Sequence, residues 1–358
     1  MYVLIMAGGV GSRFWPMSRK ANPKHLLNIV GSKSMLKLTY ERVKSLTTPE
    51  KIIVITSKEQ KSAIEKQLPQ IPKNNIIAEP VGRNTAPCIG LACAIIQVRE
   101  TDDQIMIVLP SDHLVSNGKN FRDTIKVGIE YLKKKNCLIT IGIKPKYPET
   151  GYGYIQADKV VFKSKGREIY RVKTFAEKPT LDTAERFLRS GDFFWNSGMF
   201  IWSVKSIMEE FEEYLPEIAE DLRRIKKTVD KPKFEAVVAD VYSRTRPISI
   251  DYGVMEMAKN VCVIKADFDW NDLGSWEAVY NISPKDKNGN VINTKQNIMI
   301  NSTNNYIYAQ KKLVAAVDVE GLVVVDMDDA ILICKKEESQ NVKSVVEFLY
   351  RKKMDNYL

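Results

Sequence analysis

The sequence predicts an α/β protein in which a mostly parallel sheet is followed by a smaller unit of short strands. First, short, apolar, β-branched runs alternate with helical patterns through the first third of the chain, which is typical of right-handed β–α–β crossovers. Second, a glycine-rich loop directly follows the first apolar run. Third, the sequence pattern changes after residue 282, where Asn, Asp, Gly and Lys separate short runs in which apolar and polar residues alternate. We therefore expect two domains, 1–282 and 283–358.

The alternation places polar loops at one edge of the predicted sheet. Ligands of parallel sheets bind beyond the carboxyl ends of the strands. We therefore expect Gly8–Lys24, Glu79–Thr85 and Pro110–His113 to form one crevice. The predicted strands are Tyr2–Met6, Lys51–Ile55, Asn75–Ala78, Gln104–Leu109 and Cys137–Ile141. The predicted helices between them are Ser34–Leu46, Glu59–Leu68, Thr85–Glu100 and Phe121–Lys134.

The sequence of the tail, residues 283–358, predicts a small β-helical or barrel-like unit, because its strands are short and are separated by polar corners. Its separation from the polar loops favours a role in assembly rather than chemistry. Its predicted strands are Asn297–Asn301, Tyr306–Ala309, Leu313–Val317, Leu322–Val325 and Ala330–Cys334, followed by a basic amphipathic segment at Asn341–Lys353.

Composition excludes several classes of protein. Apolar residues make up 44% of the 358 residues. The net charge of +10 comes from basic residues scattered among acidic ones, without a nucleic-acid motif, so we expect no nucleic-acid partner. No apolar run reaches membrane length, and a strand that begins at Tyr2 leaves no room for a signal peptide. Five cysteines without a C-x-x-C pair indicate reduced thiols in a cytoplasmic protein.

The first loop has the composition of a phosphate-binding loop. Gly8, Gly9 and Gly11 allow backbone N–H groups to approach an anion closely. Arg13 offers a planar fork of donors and Lys24 a point charge, which together suit phosphate oxygens. The third glycine of a dinucleotide-binding fingerprint is missing, and so is the P-loop pattern G-x-x-x-x-G-K-S/T. The pattern is instead G-G-x-G-S-R-x-x-P-x-S followed by P-K.

The second loop, Glu79–Pro87, combines a helix start with a carboxylate. Thr85 is expected to cap the following helix, with Pro87 in its first turn. A cap does not explain a carboxylate at the end of a strand. Guanine exposes two adjacent donors, N1–H and its amino group, and one carboxylate can accept both. Glu79 is therefore the candidate for guanine recognition, with Asn84 as further support.

Asp112 closes a buried strand where the sheet opens, so it either starts a turn or binds a metal ion. Mg²⁺ binds triphosphates through one or two protein carboxylates, with water and phosphate at its other positions. The candidate for the second carboxylate is Asp272, in a polar turn between a strand and a helix. Asp267 and Asp269 are alternatives, but both precede that turn.

The middle of the chain is interpreted as the half that binds a second substrate. Gly153 belongs to a glycine-rich turn that allows close approach to a ligand. Lys178 is either a solvated charge or a contact to an anomeric phosphate, while Asn196 and a carboxylate suit sugar hydroxyls. Asp251 is either a helix N-cap or a ligand of the sugar. The other candidates in these segments are Glu177, Gly198 and Tyr252.

Together these segments resemble the sugar-phosphate nucleotidyltransferases, and among them the mannose-1-phosphate guanylyltransferase (GDP-mannose pyrophosphorylase) family. The resemblance implies a Rossmann-like nucleotidyltransferase domain and a β-helix-like tail that packs in a homodimer. It further implies GTP and mannose-1-phosphate as substrates, with GDP-mannose and pyrophosphate as products. The segments that carry it are Gly8–Lys24, Glu79–Ala86, Pro110–His113, Glu177–Pro179, Asn196–Phe200, Ser249–Glu256 and Trp270–Gly274.

The resemblance also implies roles for single residues. Arg13, Lys24 and Asp112 are expected to be catalytic, and Asp112 and Asp272 to bind Mg²⁺ as the cofactor. The candidate nucleotide-binding residues are Gly8, Gly9, Gly11, Ser12, Arg13, Glu79, Asn84, Thr85 and Asp112. The candidate sugar-phosphate-binding residues are Gly153, Glu177, Lys178, Asn196, Gly198, Asp251 and Tyr252.

Two other functions stay open on the sequence. A catalytically silent paralogue that binds GDP-mannose would be expected to have lost Arg13, Lys24 or the carboxylates, and all are present. A transferase for another sugar phosphate and nucleotide is the second alternative, because residues do not reveal hydroxyl stereochemistry. Some members of the family carry a fused phosphomannose isomerase with a histidine-rich metal site. Because this chain has two histidines, we expect no isomerase activity and no multi-histidine zinc site.

Overall fold

The computed structural model describes every residue from Met1 to Leu358. It contains seventeen strands and ten α-helices, together with several short helical turns. The strands are β1 (Tyr2–Ala7), β2 (Ile52–Ser57), β3 (Ile76–Glu79), β4 (Ile105–Pro110), β5 (Leu114–Val115), β6 (Leu138–Ile143), β7 (Gly153–Ser164), β8 (Arg167–Glu177), β9 (Phe193–Ser203), β10 (Val261–Lys265), β11 (Trp270–Asn271), β12 (Val291–Thr294), β13 (Asn297–Ile300), β14 (Tyr306–Ala309), β15 (Val314–Val317), β16 (Leu322–Asp326) and β17 (Ile331–Lys335). The helices are α1 (Met35–Val43), α2 (Lys58–Gln67), α3 (Thr85–Arg99), α4 (Gly118–Leu132), α5 (Leu181–Ser190), α6 (Val204–Tyr214), α7 (Pro216–Lys226), α8 (Phe234–Arg244), α9 (Trp276–Ile282) and α10 (Val342–Arg351).

By packing, the chain divides into two compact units. The first unit consists of Met1–Gly8, Thr39–Ser111 and Val115–Trp270. The second unit consists of Gly9–Leu38, Asp112–Leu114 and Asn271–Leu358. No helix of the structure is long and apolar enough to cross a membrane.

The first unit is built on a nine-stranded sheet in the order β3-β2-β1-β4-β9-β6-β10-β8-β7. Strands β3, β2, β1 and β4 pair in parallel, as do β6 and β10, while β9 and β8 run antiparallel to their neighbours. Register places Glu79 beside Ser57 and Pro110 beside Met6, so β1, β3 and β4 end at the same edge. The predicted α/β class with a mostly parallel sheet is confirmed.

Helix α3 forms the centre of the apolar core of the first unit. Its residues from Ala86 to Ile96 are all buried, which is expected of a helix that is apolar on every side. It packs against α7 and α6 as well as against β1. The prediction that Thr85 caps this helix is wrong, because the side chain of Asn84 accepts the hydrogen bond from the Thr85 N–H (2.8 Å).

The second unit contains a parallel β-helix-like stack. Strands β12, β14 and β16 follow one another in parallel, with Val291 beside Tyr306 and Tyr306 beside Val323. Strands β13 and β15 form a second parallel pair. Paired residues on successive coils are 15 and then 17 residues apart in the sequence. Because this spacing is not constant, the sequence shows no repeat of fixed length. The predicted β-helix-like tail is confirmed.

The glycine-rich loop of the second unit is shaped around Gly11 and Lys24. Gly11 has φ +75°, in the left-handed region that favours glycine. A Cβ at this position would collide with the Cβ of Lys24. The Lys24 N–H donates to the Val10 carbonyl (3.0 Å), which fixes the two ends of the loop together. The loop is anchored by Phe14, whose buried ring lies 5.0 Å from the ring of Trp276.

We expect Gly11→Ala to destabilise the protein by about 1–3 kcal/mol, because it adds both backbone strain and a collision. The free energy of unfolding in urea measures this change. Gly9→Ala is the matched control, since Gly9 has no positive φ and no atom would lie within 4 Å of its Cβ. Equal stability of the two variants would contradict this account of the loop.

Candidate active site

The predicted site residues fall into clusters, and the first lies in the second unit around Lys24. The Lys24 side chain is buried, and its Nζ donates to Asp112 Oδ2 (2.8 Å) and to the backbone carbonyl of Asp272 (2.5 Å). One ammonium group therefore holds both residues that were predicted to bind metal. Burial raises the pKa of Asp112, but the charge of the Lys24 ammonium group and the hydrogen bond that it donates outweigh burial and lower that pKa to about 2. The carboxylate is consequently ionised at neutral pH.

Arg13 and Ser12 lie in the short helical turn Ser12–Phe14. Arg13 is exposed, and its guanidinium has no hydrogen-bond or ion-pair partner in the protein. A cation held near the glycine loop without an internal partner is available to an anionic ligand. Gly9 and Ser12 are accessible on the same loop.

His25 is a residue of this cluster that the sequence analysis missed. It is buried, and its imidazole hydrogen-bonds the backbone of Gly9, while Nε2 has no partner. Burial is the main reason that its pKa falls to about 4, so the ring is neutral at pH 7. His25 therefore supports the glycine loop without adding charge. Its place next to Lys24 was the one sequence signal for this role.

Asp112 and Asp272 have the oxygen ligands that Mg²⁺ prefers. Mg²⁺ takes one or two carboxylates and completes its shell with water and substrate phosphate. The structure contains no group of three or more His, Cys, Asp or Glu side chains that could hold a metal ion by themselves. The alternatives Asp267 and Asp269 are exposed and face Arg167 (3.5 Å) and Lys146 (3.3 Å).

The second cluster lies in the first unit around Glu79. The Glu79 side chain is 7% exposed and accepts a hydrogen bond from the Tyr242 hydroxyl (2.9 Å). Burial raises its pKa to about 7, although the Tyr242 hydrogen bond opposes the rise. Gly8 leaves room beside the carboxyl, because a Cβ there would lie 3.8 Å from Glu79 Oε2.

Asn84 and Thr85 use their side chains inside the protein. Asn84 has φ +70° and caps α3, whereas Thr85 Oγ1 accepts from the Ile250 N–H (2.8 Å). Arg83 donates to the carbonyls of Tyr242 (2.7 Å) and Ser243 (3.0 Å). These three residues therefore shape the loop after β3 and connect it to the segment before Asp251.

The third cluster, also in the first unit, brings together most of the predicted sugar-phosphate residues. Asn196 Nδ2 donates to Asp251 Oδ1 (2.7 Å), and Asn196 Oδ1 accepts from Gly198 N–H (3.2 Å) and from the Thr140 hydroxyl (3.0 Å). Burial, followed by repulsion from Glu177, raises the pKa of Asp251 to about 6. The N-cap alternative for Asp251 is wrong, because Asp251 begins the π-helical turn Asp251–Met255 and Ile250 precedes it as the cap.

Lys178 and Glu177 lie at the end of β8 and complete this cluster. Lys178 Nζ contacts Glu177 Oε1 (3.0 Å), and the lysine has φ +48° and an exposed side chain. A Cβ on Gly153 would collide with Glu177 Oε2, so the predicted glycine turn lies against this carboxylate. Tyr252 is exposed beside Asp251. The carboxylate of Glu256 accepts a hydrogen bond from the Glu177 N–H (3.1 Å). The sequence analysis did not name Glu256 or Thr140 as site residues, because neither residue stands out in its local sequence.

Two family models match the chain and together cover most of its length. The family model described as nucleotidyl transferase matches residues 2–289. A second model, the MannoseP isomerase/GMP-like beta-helix domain, matches residues 295–349.

Curated relatives and solved structures extend the similarity over nearly the whole chain. A mannose-1-phosphate guanylyltransferase of Klebsiella pneumoniae is 43% identical over 99% of this chain and 75% of its own length. One from Escherichia coli is 42% identical over the same shares. A solved structure described as mannose-1-phosphate geranyltransferase from Thermus thermophilus is 31% identical, with TM-score 0.87 over 98% of this chain and 99% of that one.

A solved structure described as mannose-6-phosphate isomerase from Helicobacter pylori has TM-score 0.61 over 76% of this chain and 100% of that one. Its 24% identity supports a common fold alone. The family model and the relatives that match nearly the whole chain together establish that this chain belongs to the nucleotidyl transferase family of enzymes.

Proposed function

We propose that this chain transfers GMP from GTP to mannose-1-phosphate, giving GDP-mannose and pyrophosphate. The observation that carries the reaction class is the Lys24 ammonium group, which bonds both Asp112 and Asp272 beside a glycine-rich loop. That arrangement joins a cation, the Asp112 carboxylate and the backbone of a second acidic residue beside a loop of backbone donors, which are groups that phosphoryl chemistry uses. The names of the full-length relatives support GTP and mannose-1-phosphate as the pair.

Each substrate is assigned to a cluster by its chemistry. The carboxyl of Glu79 would accept the N1–H and amino donors of guanine, and the space beside Gly8 would admit the base. Asn196 and Asp251 would bind hydroxyl groups of the sugar, and Lys178 would bind its phosphate. Their mutual hydrogen bonds pre-orient these groups before a ligand arrives.

The transfer needs no general base. The phosphate of mannose-1-phosphate is already an anion and can attack the α-phosphorus of GTP directly. The bond to the α-phosphorus forms as the bond to pyrophosphate breaks, so atoms and charge balance. Arg13, Lys24 and the loop N–H groups reduce the repulsion between the anions and hold them in line. Mg²⁺, held by Asp112 and Asp272, would supply further charge compensation for the phosphates.

Assembly and location complete the proposal. We assign residues 1–282 to catalysis and residues 283–358 to the assembly of a homodimer. On the face of the β13–β15 pair, Ile298, Ile300 and Val317 are all about half exposed, and Ile300 lies directly beside Val317. Neighbouring exposed aliphatic side chains favour contact with another apolar surface. All five cysteines are free thiols, which supports a cytoplasmic location.

The reaction is tested by offering GTP, ATP, UTP and dTTP separately with Mg²⁺ and mannose-1-phosphate, and by measuring pyrophosphate release. We expect pyrophosphate release with GTP to exceed release with each other nucleotide by at least about 100-fold, because a buried carboxyl group rejects bases that lack the two adjacent donors of guanine. Preferential release with another nucleotide would overturn the guanine assignment while leaving the mechanism in place. If no nucleotide gives pyrophosphate release and the protein still binds GDP-mannose, the result would favour a regulatory binding protein.

Lys24→Ala is expected to lower kcat by about two to four orders of magnitude, because it removes the cation that offsets phosphate charge. Circular dichroism should show a folded protein. Lys20→Ala is the matched control, since Lys20 is an exposed lysine of the same loop paired with Asp355 at 3.6 Å. A Lys24→Ala rate close to that of the control would remove Lys24 from the mechanism.

Ile300→Asp is expected to convert the dimer to a monomer, because it buries a charge in the proposed interface. Sedimentation velocity measures the change in mass. The matched control is Val160→Asp, at an exposed aliphatic residue of β7 in the first unit. A wild-type protein that is already monomeric at micromolar concentration would refute the assembly role.

A further inference from the structure

Tyr242 has one hydroxyl proton and two oxygen neighbours that can accept it. Its Oη lies 2.9 Å from Glu79 Oε1 and 3.1 Å from the backbone carbonyl of Pro87. The Pro87 carbonyl can only accept a hydrogen bond, whereas a carboxyl group can accept or donate according to its protonation. When Glu79 is ionised, Tyr242 donates to it. When Glu79 is protonated on Oε2, Oε1 can still accept the Tyr242 proton, so the carboxyl group stays in place in both states and its own O–H remains available to a base.

No cation compensates Glu79. Arg83, the nearest arginine in sequence, is occupied by the backbone carbonyls of residues 242 and 243. The residue beside Glu79 on β2 is the neutral Ser57. The other titratable groups that face Glu79 are Cys88 on α3 and Tyr242 on α8, and burial raises the pKa of both further above neutral. Glu79 is therefore the group of this cluster that can change charge near pH 7, and the Tyr242 hydroxyl is its one hydrogen-bond donor.

The two forms of Glu79 suit different bases. A carboxylate offers only acceptors, which match the N1–H and amino donors of guanine and face the N1 lone pair of adenine. A neutral carboxyl group offers one donor and one acceptor, and that pair matches N1 and the amino group of adenine. Loss of the charge should therefore weaken the preference for guanine more than it weakens nucleotide binding as a whole.

We propose that Tyr242 is a positioning residue that sets nucleotide specificity, because its hydroxyl holds the Glu79 carboxyl in place and favours the carboxylate form that binds guanine and rejects adenine. This inference rests on the proposed role of Glu79 in base recognition. A hydrogen bond to the charged form is stronger than one to the neutral form, so Tyr242 keeps more of the enzyme in the guanine-selective state.

The test is the ratio of kcat/KM for GTP to kcat/KM for ATP, measured between pH 5.5 and 9 with mannose-1-phosphate and Mg²⁺. Using a ratio cancels the titration of the phosphates and any damage common to both nucleotides. In the wild type, the ratio should rise by up to about tenfold per pH unit through the pKa of Glu79, about 7, and level off at higher pH, where residual use of ATP by the carboxylate form limits it. Tyr242→Phe should move this levelling to higher pH by about one unit, which lowers the ratio at pH 7 by up to about tenfold.

Two variants separate the possible failures. Glu79→Gln imitates the neutral acid, and should give a low ratio that does not change with pH. Tyr280→Phe removes a different buried hydroxyl, which donates to the Gly289 carbonyl (2.8 Å), and should leave the wild-type profile unchanged. If Glu79→Gln keeps the full preference for GTP, the role of Glu79 in base recognition is wrong. If Glu79→Gln loses that preference while Tyr242→Phe follows the wild-type profile, the role of Tyr242 alone is overturned.

Discussion

One buried ammonium group holds the glycine loop of the second unit to two acidic residues. Lys24 Nζ bonds a carboxylate and a backbone carbonyl from distant parts of the chain, and its own backbone N–H closes the glycine loop. Burying a lysine costs free energy unless the charge is paired and hydrogen-bonded. Both conditions are met here, and Asp112 in turn stays ionised. The same interaction therefore fixes the loop, the two acidic residues and the local charge.

The parts of the fold that the sequence could predict are those governed by local periodicity. The runs that became β1 to β4 and the helices between them show apolar patterns of the right length, and their ends were predicted within a few residues. The short strand β12 and the two-residue strands β5 and β11 were not predicted. Their stability comes from long-range pairing rather than from local pattern.

Prediction of the candidate site follows the same division. Lys24, Asp112 and Asp272 stand out because each occurs in a polar turn after an apolar run, and the structure joins all three. Tyr242 gave no such signal, since it is separated from Glu79 by 163 residues and lies within an ordinary amphipathic helix. A hydrogen bond of that kind depends on tertiary packing alone.

The cluster around Lys24 pairs its carboxylate with a cation, whereas the clusters around Glu79 and Asp251 do not. We attribute this difference to the charge of the ligand proposed for each cluster. Beside the glycine loop, the neighbouring cation lowers the pKa of Asp112 to about 2, so that carboxylate keeps the charge that its proposed contacts to a metal ion and phosphates require. Glu79 is instead buried without a compensating ion pair, and Asp251 is partly buried and forms no ion pair. Burial raises their pKa values to about 7 and about 6, although the charge of Lys178 opposes the rise at Asp251. A salt bridge would stabilise either carboxylate, but the cation would occupy the oxygens that, in the proposed function, accept hydrogen bonds from neutral donors on a base or sugar. Without a paired cation these oxygens remain available. The ionised form of each carboxyl group is then stabilised by neutral hydrogen-bond donors such as Tyr242 and Asn196.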